Sequence, residues 1–185
     1  MKTTLSICCA LLLSGCGILS VQPYIQTCYY DIGTPQALDV KKNWNLEIMS
    51  FDTSGPYQQR MVFRTGPNSI KFDEFNRWSM VPAGMFKRYF LLVFDCEDDT
   101  DPTIVRKYSI KSEIVQIEAD LSHKMINLAL RFTLSETVTG KKLWSRTYKQ
   151  QIPVDKVTGD SYAAAVKKAT DNIIRKLDDD LQKSK

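Results

Sequence analysis

Four consecutive residues near the start of the chain carry a defined chemistry. Leu13-Ser14-Gly15-Cys16 has the order of a lipobox, in which the cysteine thiolate takes a diacylglycerol as a thioether. Ser14 and Gly15 are small enough to admit a peptidase to the bond before Cys16. Cleavage would leave a free amine there for a further, palmitate-type acyl chain, and two or three chains hold a protein stably where one does so only marginally. Ahead of the box stand Lys2 and a short apolar run, Leu5 to Leu13. The run is far short of the roughly 20 residues that span a bilayer, so it reads as the core of a signal peptide over residues 1–15. Gly17, not aspartate, follows the cysteine, which points to the outer membrane with the domain facing the periplasm of a Gram-negative cell.

The other reactive side chains are few. Of five cysteines, Cys8 and Cys9 leave with the signal and Cys16 takes lipid, so Cys28 and Cys96 remain. Export places them where disulfides persist, and a Cys28–Cys96 bridge would close a loop of roughly 70 residues, stabilising the fold by about 4 kcal/mol. Two separate buried thiols are the alternative. His123 is the only histidine and lies in Ser122-His123-Lys124, a polar turn where exposure is the ordinary outcome. A catalytic triad would have to use it, and no companion set is visible. One histidine and two cysteines do not make a tetrahedral zinc site. Glu97-Asp98-Asp99-Thr100-Asp101 lacks the glycine and terminal glutamate of a calcium loop. No glycine loop cradles phosphate. The expectation is a protein with no catalytic residues, no metal and no cofactor.

Charge sets further bounds. The 185 residues carry 25 basic and 21 acidic side chains, a net +4. Losing residues 1–15, whose one charge is Lys2, leaves 170 residues at +3. That suits one domain with a sizeable core, and it argues against a nucleic-acid partner.

These residues need elements to hold them. Residues 16–27 form a lipidated tether in which Pro23 discourages regular structure. The domain then covers 28–185. Cys28 to Gly33 reads as a short aromatic strand, and Trp44 to Ile48 alternates as a half-buried one. Residues 59–75 read as a hairpin about Gly66-Pro67-Asn68-Ser69. Pro82 opens a helix whose Met85, Phe86, Tyr89, Phe90 and Val93 recur at three and four. Lys107 to Leu121 is a long strand whose alternation shifts near Ile114, which predicts a bulge. Ile126 to Leu134 and Leu143 to Ile152 follow, joined by Thr139-Gly140-Lys141. A terminal helix, capped by Asp160 or Ser161, carries an apolar stripe from Tyr162 to Leu181. The strand aromatics are mostly core, though some could line a groove for an acyl chain or a partner strand. The order predicts a single α+β domain: a mostly antiparallel sheet with two main helices packed on it.

Three segments resemble the ABC-type transport auxiliary lipoprotein family (PqiC-like). They are Tyr29-Tyr30-Asp31-Ile32-Gly33; the strand Arg60-Met61-Val62-Phe63-Arg64; and Ile70-Lys71-Phe72-Asp73-Glu74-Phe75-Asn76-Arg77-Trp78 before a proline-started helix. The Arg77-Trp78 junction is the most specific of these matches. Phe72 stands where the family usually has tyrosine, and Cys28 and Cys96 lie outside the pattern. The resemblance implies a non-catalytic accessory of an intermembrane lipid transport system, with an MCE-domain protein and ABC transporter subunits as partners. It leaves the oligomeric state open, a homo-oligomer included. A lipoprotein of another envelope machine, for outer-membrane assembly or peptidoglycan-synthase activation, is the competing reading. Trp78 itself is expected to plug the helix–sheet interface.

Overall fold

The structure is a computed structural model that describes residues 25–36, 38–40, 45–94 and 106–184. Its elements, in chain order, are β1 (Cys28–Tyr30), β2 (Leu46–Thr53), β3 (Arg60–Gly66), β4 (Ser69–Trp78), α1 (Pro82–Phe94), β5 (Tyr108–Asp120), β6 (Met125–Glu136), β7 (Lys142–Pro153) and α2 (Gly159–Gln182). All seven strands join one sheet in the order β1-β4-β3-β5-β6-β7, with β2 also on β5. The predicted α+β domain is therefore found, but the sheet is mixed. The long β5–β6 and β6–β7 ladders and the β3–β4 hairpin are antiparallel. β1 joins β4, and β2 and β3 join β5, in parallel. Alternation along a strand encodes which side chains face inward, not which way its neighbour runs, so these pairings left no trace in the pattern.

β5 is the spine. Its predicted bulge lies between Ile114 and Gln116, where the β6 register shifts. The same edge of β5 receives β2 along Tyr108–Ile114 and β3 at Ala119 and Asp120. Across the meander, Ile114, Leu128, Leu130, Phe132 and Leu134 face one side and are buried. Arg131, Thr133 and Ser145 face the other and are held by polar partners there: Arg131 donates to Glu113 at 2.9 Å, and the Thr133 and Ser145 hydroxyls meet at 2.9 Å. Gly140, at φ +68°, provides the left-handed residue that the β6–β7 turn needs.

Both helices cover the apolar side. In α1, Met85, Phe86, Tyr89, Phe90 and Val93 are buried as their spacing predicts. Phe90 meets Phe51 and Phe132 at ring separations of 5.2 and 5.4 Å. The α2 stripe Tyr162, Val166, Ala169, Ile173, Leu177 and Leu181 is buried on the domain's own sheet. The helices are clamped together where the Tyr89 hydroxyl donates to Asp171 at 2.6 Å and accepts from Lys167 at 2.7 Å. Burial, then the Asp171 carboxylate, raises the Tyr89 pKa and keeps the phenol neutral.

The cap of α2 corrects one expectation. Thr158, not Asp160 or Ser161, is the N-cap. Its extended backbone lets its hydroxyl accept from the Ser161 amide, while the Ser161 hydroxyl accepts from the Thr158 amide, closing a capping box. The next residue must be small: a Cβ on Gly159 would lie 2.3 Å from the ring of Tyr30, which packs over the helix start.

Candidate functional site

The β3–β4 hairpin is the part of the sheet with chemistry left outward. Arg60 pairs with Arg77 and Val62 with Phe72, so Met61 alone stands opposite Asp73, Glu74, Phe75 and Asn76. This wide bulge is held by one carboxylate. Asp73 Oδ1 accepts from the amides of Phe75 and Asn76 at 2.8 and 2.9 Å, and Oδ2 accepts from Asn76 Nδ2 at 2.7 Å. Partial burial works to raise the Asp73 pKa, but those three donors outweigh it and hold the carboxyl below its usual range. The acidic residue of the family-like motif is therefore structural, capping the bulge that turns the strand.

Beyond the bulge the strand ends on Trp78, which is 1% exposed and meets Tyr162 of α2 edge-on at 5.4 Å. The junction is where the sequence places it, and the indole fills the space between sheet and helix. Arg77, its neighbour, points to the opposite face, since successive strand residues alternate. That face carries the row Tyr29, Arg77 and Arg60 across β1, β4 and β3.

On the helix-facing side the hairpin opens a groove of about 300 Å³. Phe63, Phe75, Leu121 and Val157 form its apolar walls, with Lys71, Asp73 and Glu74 as its polar lining. Phe75 and Leu121 are 37% and 42% exposed, so these walls are open to an incoming group. Sequence reasoning anticipated aromatic residues lining a groove but could not pick these: Leu121 and Val157 come from loops far along the chain.

A second polar cluster fixes the hairpin to β5. Glu118 is buried, yet it lies on the face away from the helices. Arg64 donates to both its oxygens, Nε at 2.6 Å and Nη2 at 2.9 Å; Tyr57 donates at 2.8 Å and Gln116 at 3.2 Å. Burial would raise the Glu118 pKa, but these hydrogen bonds and the attraction of Arg64 lower it. All the donors point at one acid, so the cluster is saturated and serves as a pin. Sequence reasoning missed it, because Tyr57 and Arg64 stand 61 and 54 residues before Glu118.

His123 lies in its turn as expected, mostly exposed, with Nδ1 2.9 Å from Asp120. Among the described residues, no group of histidine, cysteine or carboxylate side chains could hold a metal. Cys28 is an exposed free thiol in the structure. Cys16 and Cys96 lie outside the described residues, as do the tether before residue 25 and the acidic segment 97–101. No described helix is long and apolar enough to cross a membrane.

With this geometry in hand, solved structures supply a likeness. A Xanthomonas campestris protein of the DUF330 family matches with a TM-score of 0.65 at 16% identity, covering 81% of this chain and 92% of its own. The chain has a DUF330-type fold. A second solved structure, of an uncharacterized protein, matches with a TM-score of 0.62 at 11% identity, covering 83% of this chain and 99% of its own. The lipoprotein GNA1162 of Neisseria meningitidis gives a TM-score of only 0.31 at 9% identity over 70% of this chain and 97% of its own. No family model matches the sequence, and no curated protein does. None of the three is described as an enzyme. At 81% and 83% of this chain, the first two likenesses extend well beyond any single element.

Proposed function

We propose that this chain is a lipid-anchored periplasmic accessory of an ABC/MCE-type intermembrane lipid transport system, held in the outer membrane through Cys16. The observation that carries the reading is the DUF330-type fold, a PqiC-like architecture, shared over 92% of the neighbouring chain. The lipobox before that fold and the family-like Arg77-Trp78 junction within it point the same way. The domain is a binding module in this reading: its Asp73 and Glu118 clusters are internally satisfied, and the hairpin groove is a surface available to an incoming chain. Extended partners can add to an open sheet edge or seat apolar side chains in such a groove. Tethering raises the effective concentration of the two parties, so no single contact has to be strong.

The test is affinity purification of the full chain, tagged at its C-terminus, from detergent-solubilised envelopes. Recovery of an MCE-domain protein or transporter subunits is expected. Repeated recovery of a peptidoglycan synthase or β-barrel assembly component, without either, would transfer the protein to another envelope machine. The anchor is tested separately: Cys16→Ser should abolish metabolic lipid labelling and release the protein from the membrane fraction.

A further inference from the structure

Arg60 and Arg77 stand directly opposite each other in the hairpin, so their side chains share a face with Cβ atoms about 5 Å apart. Like charges in that position repel. A sheet normally avoids this or supplies a carboxylate, yet neither arginine has an acidic partner among the described residues. Arg60 donates Nε to the backbone oxygen of Asp73 at 3.2 Å and lies over the Phe72 ring at 5.5 Å. Arg77 Nε is buried and has no hydrogen-bond partner at all. Of the two carboxylates in β4, Asp73 is engaged by its own bulge and Glu74 lines the groove on the helix-facing side. Two adjacent guanidiniums with unused donors fit a phosphate, whose several oxygens can accept from both.

What flanks the pair selects the source of that phosphate. Tyr29 completes the row and is 61% exposed, and Ile70 on the same hairpin is 37% exposed. Phenol rings of this kind sit at the level of lipid headgroups, with the ring toward the acyl region and the hydroxyl toward water. Tyr29 is also only thirteen residues from Cys16. Tyr29 thus lies on the strand that the tether enters, with Arg77 on the strand beside it and Arg60 on the next, so the row starts within a short chain length of the membrane the anchor would occupy.

We infer that Tyr29, Arg77 and Arg60 form a headgroup contact that lays the outer face of the hairpin on anionic phospholipid. The inference rests on the lipid-anchored reading above. It sets the orientation of the domain: the hairpin's outer face meets the bilayer, while its groove, on the helix side, stays clear for a partner.

The experiment uses the processed, lipidated protein in phosphatidylglycerol-containing or purely phosphatidylcholine vesicles, with Tyr29→Trp as reporter and the parent protein as baseline. Headgroup-labelled quencher lipid should quench the reporter in anionic vesicles, less so at high salt. Arg60→Gln with Arg77→Gln should lower the ratio of docked to undocked protein about thirtyfold, at about one kcal/mol per arginine near an anionic surface. Arg60→Gln alone, at an exposed position, should lower it about fivefold and guards against misfolding of the pair. Quenching that is equal in both vesicles and insensitive to the arginines overturns the inference. So does loss of the contact to millimolar inorganic phosphate at fixed ionic strength, which would make the pair a free-anion site. Protection of the reporter by envelope protein and not by vesicles would assign it to a protein surface. Intact mass reports the anchor independently; if Cys16 carries no lipid, titration against excess vesicles still reads the arginine contact.

Discussion

The two halves of this sheet treat their polar groups differently. In the β5–β6–β7 meander several long side chains are answered inside the molecule, and the Ser112 and Thr137 hydroxyls that have no partner are buried there. Tyr148 donates to Asp180 at 2.6 Å, Trp144 donates to Ser184 at 2.8 Å, and Arg131 reaches Glu113. Long, regular ladders and two helices leave that half little capacity to bind. In the β1–β4–β3 half the ladders are short, a wide bulge interrupts them, and Arg77 keeps an unanswered donor. Apolar side chains stand exposed there on both faces. One half is a scaffold; the other uses that scaffold to hold groups that water, a lipid or a partner must complete. Two residues tie the halves together, Trp78 on the helix side and Glu118 on the far side, and substitutions at them decide how separable the halves are.

The largest effect is expected at the joint. Trp78→Ala should destabilise by about 3–5 kcal/mol, because an indole in contact with Tyr162 leaves a cavity that the sheet and helix cannot both collapse into. Denaturant unfolding checks this. Unchanged stability with lost partner binding would move Trp78 from the joint to the interface and dissolve the division.

Glu118→Gln comes next, at about 2–3 kcal/mol: it unpairs Arg64, which is 29% exposed, from its carboxylate. The effect is pH-dependent, with a defined sign. Glu118 has a folded pKa below its unfolded value of roughly 4.3. Its contribution is therefore complete above that value and is lost as pH falls through the folded one. The gap between parent and variant stability should close below about pH 4, and a constant gap in acid titration of the melting temperature would refute the ion pair.

Asp73→Ala should cost about 1–2 kcal/mol, since three donors lose their acceptor while most regain water. Its sharper signature is local. Amide exchange at Phe75 and Asn76 should accelerate while the meander amides stay protected. Acceleration across the whole sheet would show that the hairpin is not an independent unit.

The smallest expected effect has the opposite sign. Ser112 is buried on β5, opposite Phe51 and Phe132, and its hydroxyl has no partner. Ser112→Ala should be neutral or stabilising by up to about 1 kcal/mol. A clear loss would reveal a polar role in the scaffold half that its packing does not show.

The scaffold half was the legible one. Its side-chain periods are regular, so the meander, the bulge beyond Ile114, both helices and the buried α2 stripe could be read from local pattern. Trp78 could be placed because a bulky residue at a change of period has few other uses. The hairpin's outward arrangement was hidden by long-range facts. Arg60 faces Arg77 only because a bulge absorbs the residues between, and strand alternation alone gives no sign of it. The Tyr57–Arg64–Glu118 pin depends on parallel pairing that alternation does not encode. Even the helix cap eluded pattern reading, since Thr158 and Ser161 divide between them a role that either composition could claim.

The double tenancy along one edge of β5 has a temporal consequence. A ribosome delivers β2 and β3 first, yet each is completed only by β5, roughly 60 residues later in register. Contacts so distant in sequence form slowly, and the hairpin and β2 must wait with their edges unpaired. The meander, by contrast, needs only neighbours just synthesised. Refolding should therefore show early protection in β5–β7 and late protection in β2 and β3. In the cell, that interval is when this chain most needs a chaperone.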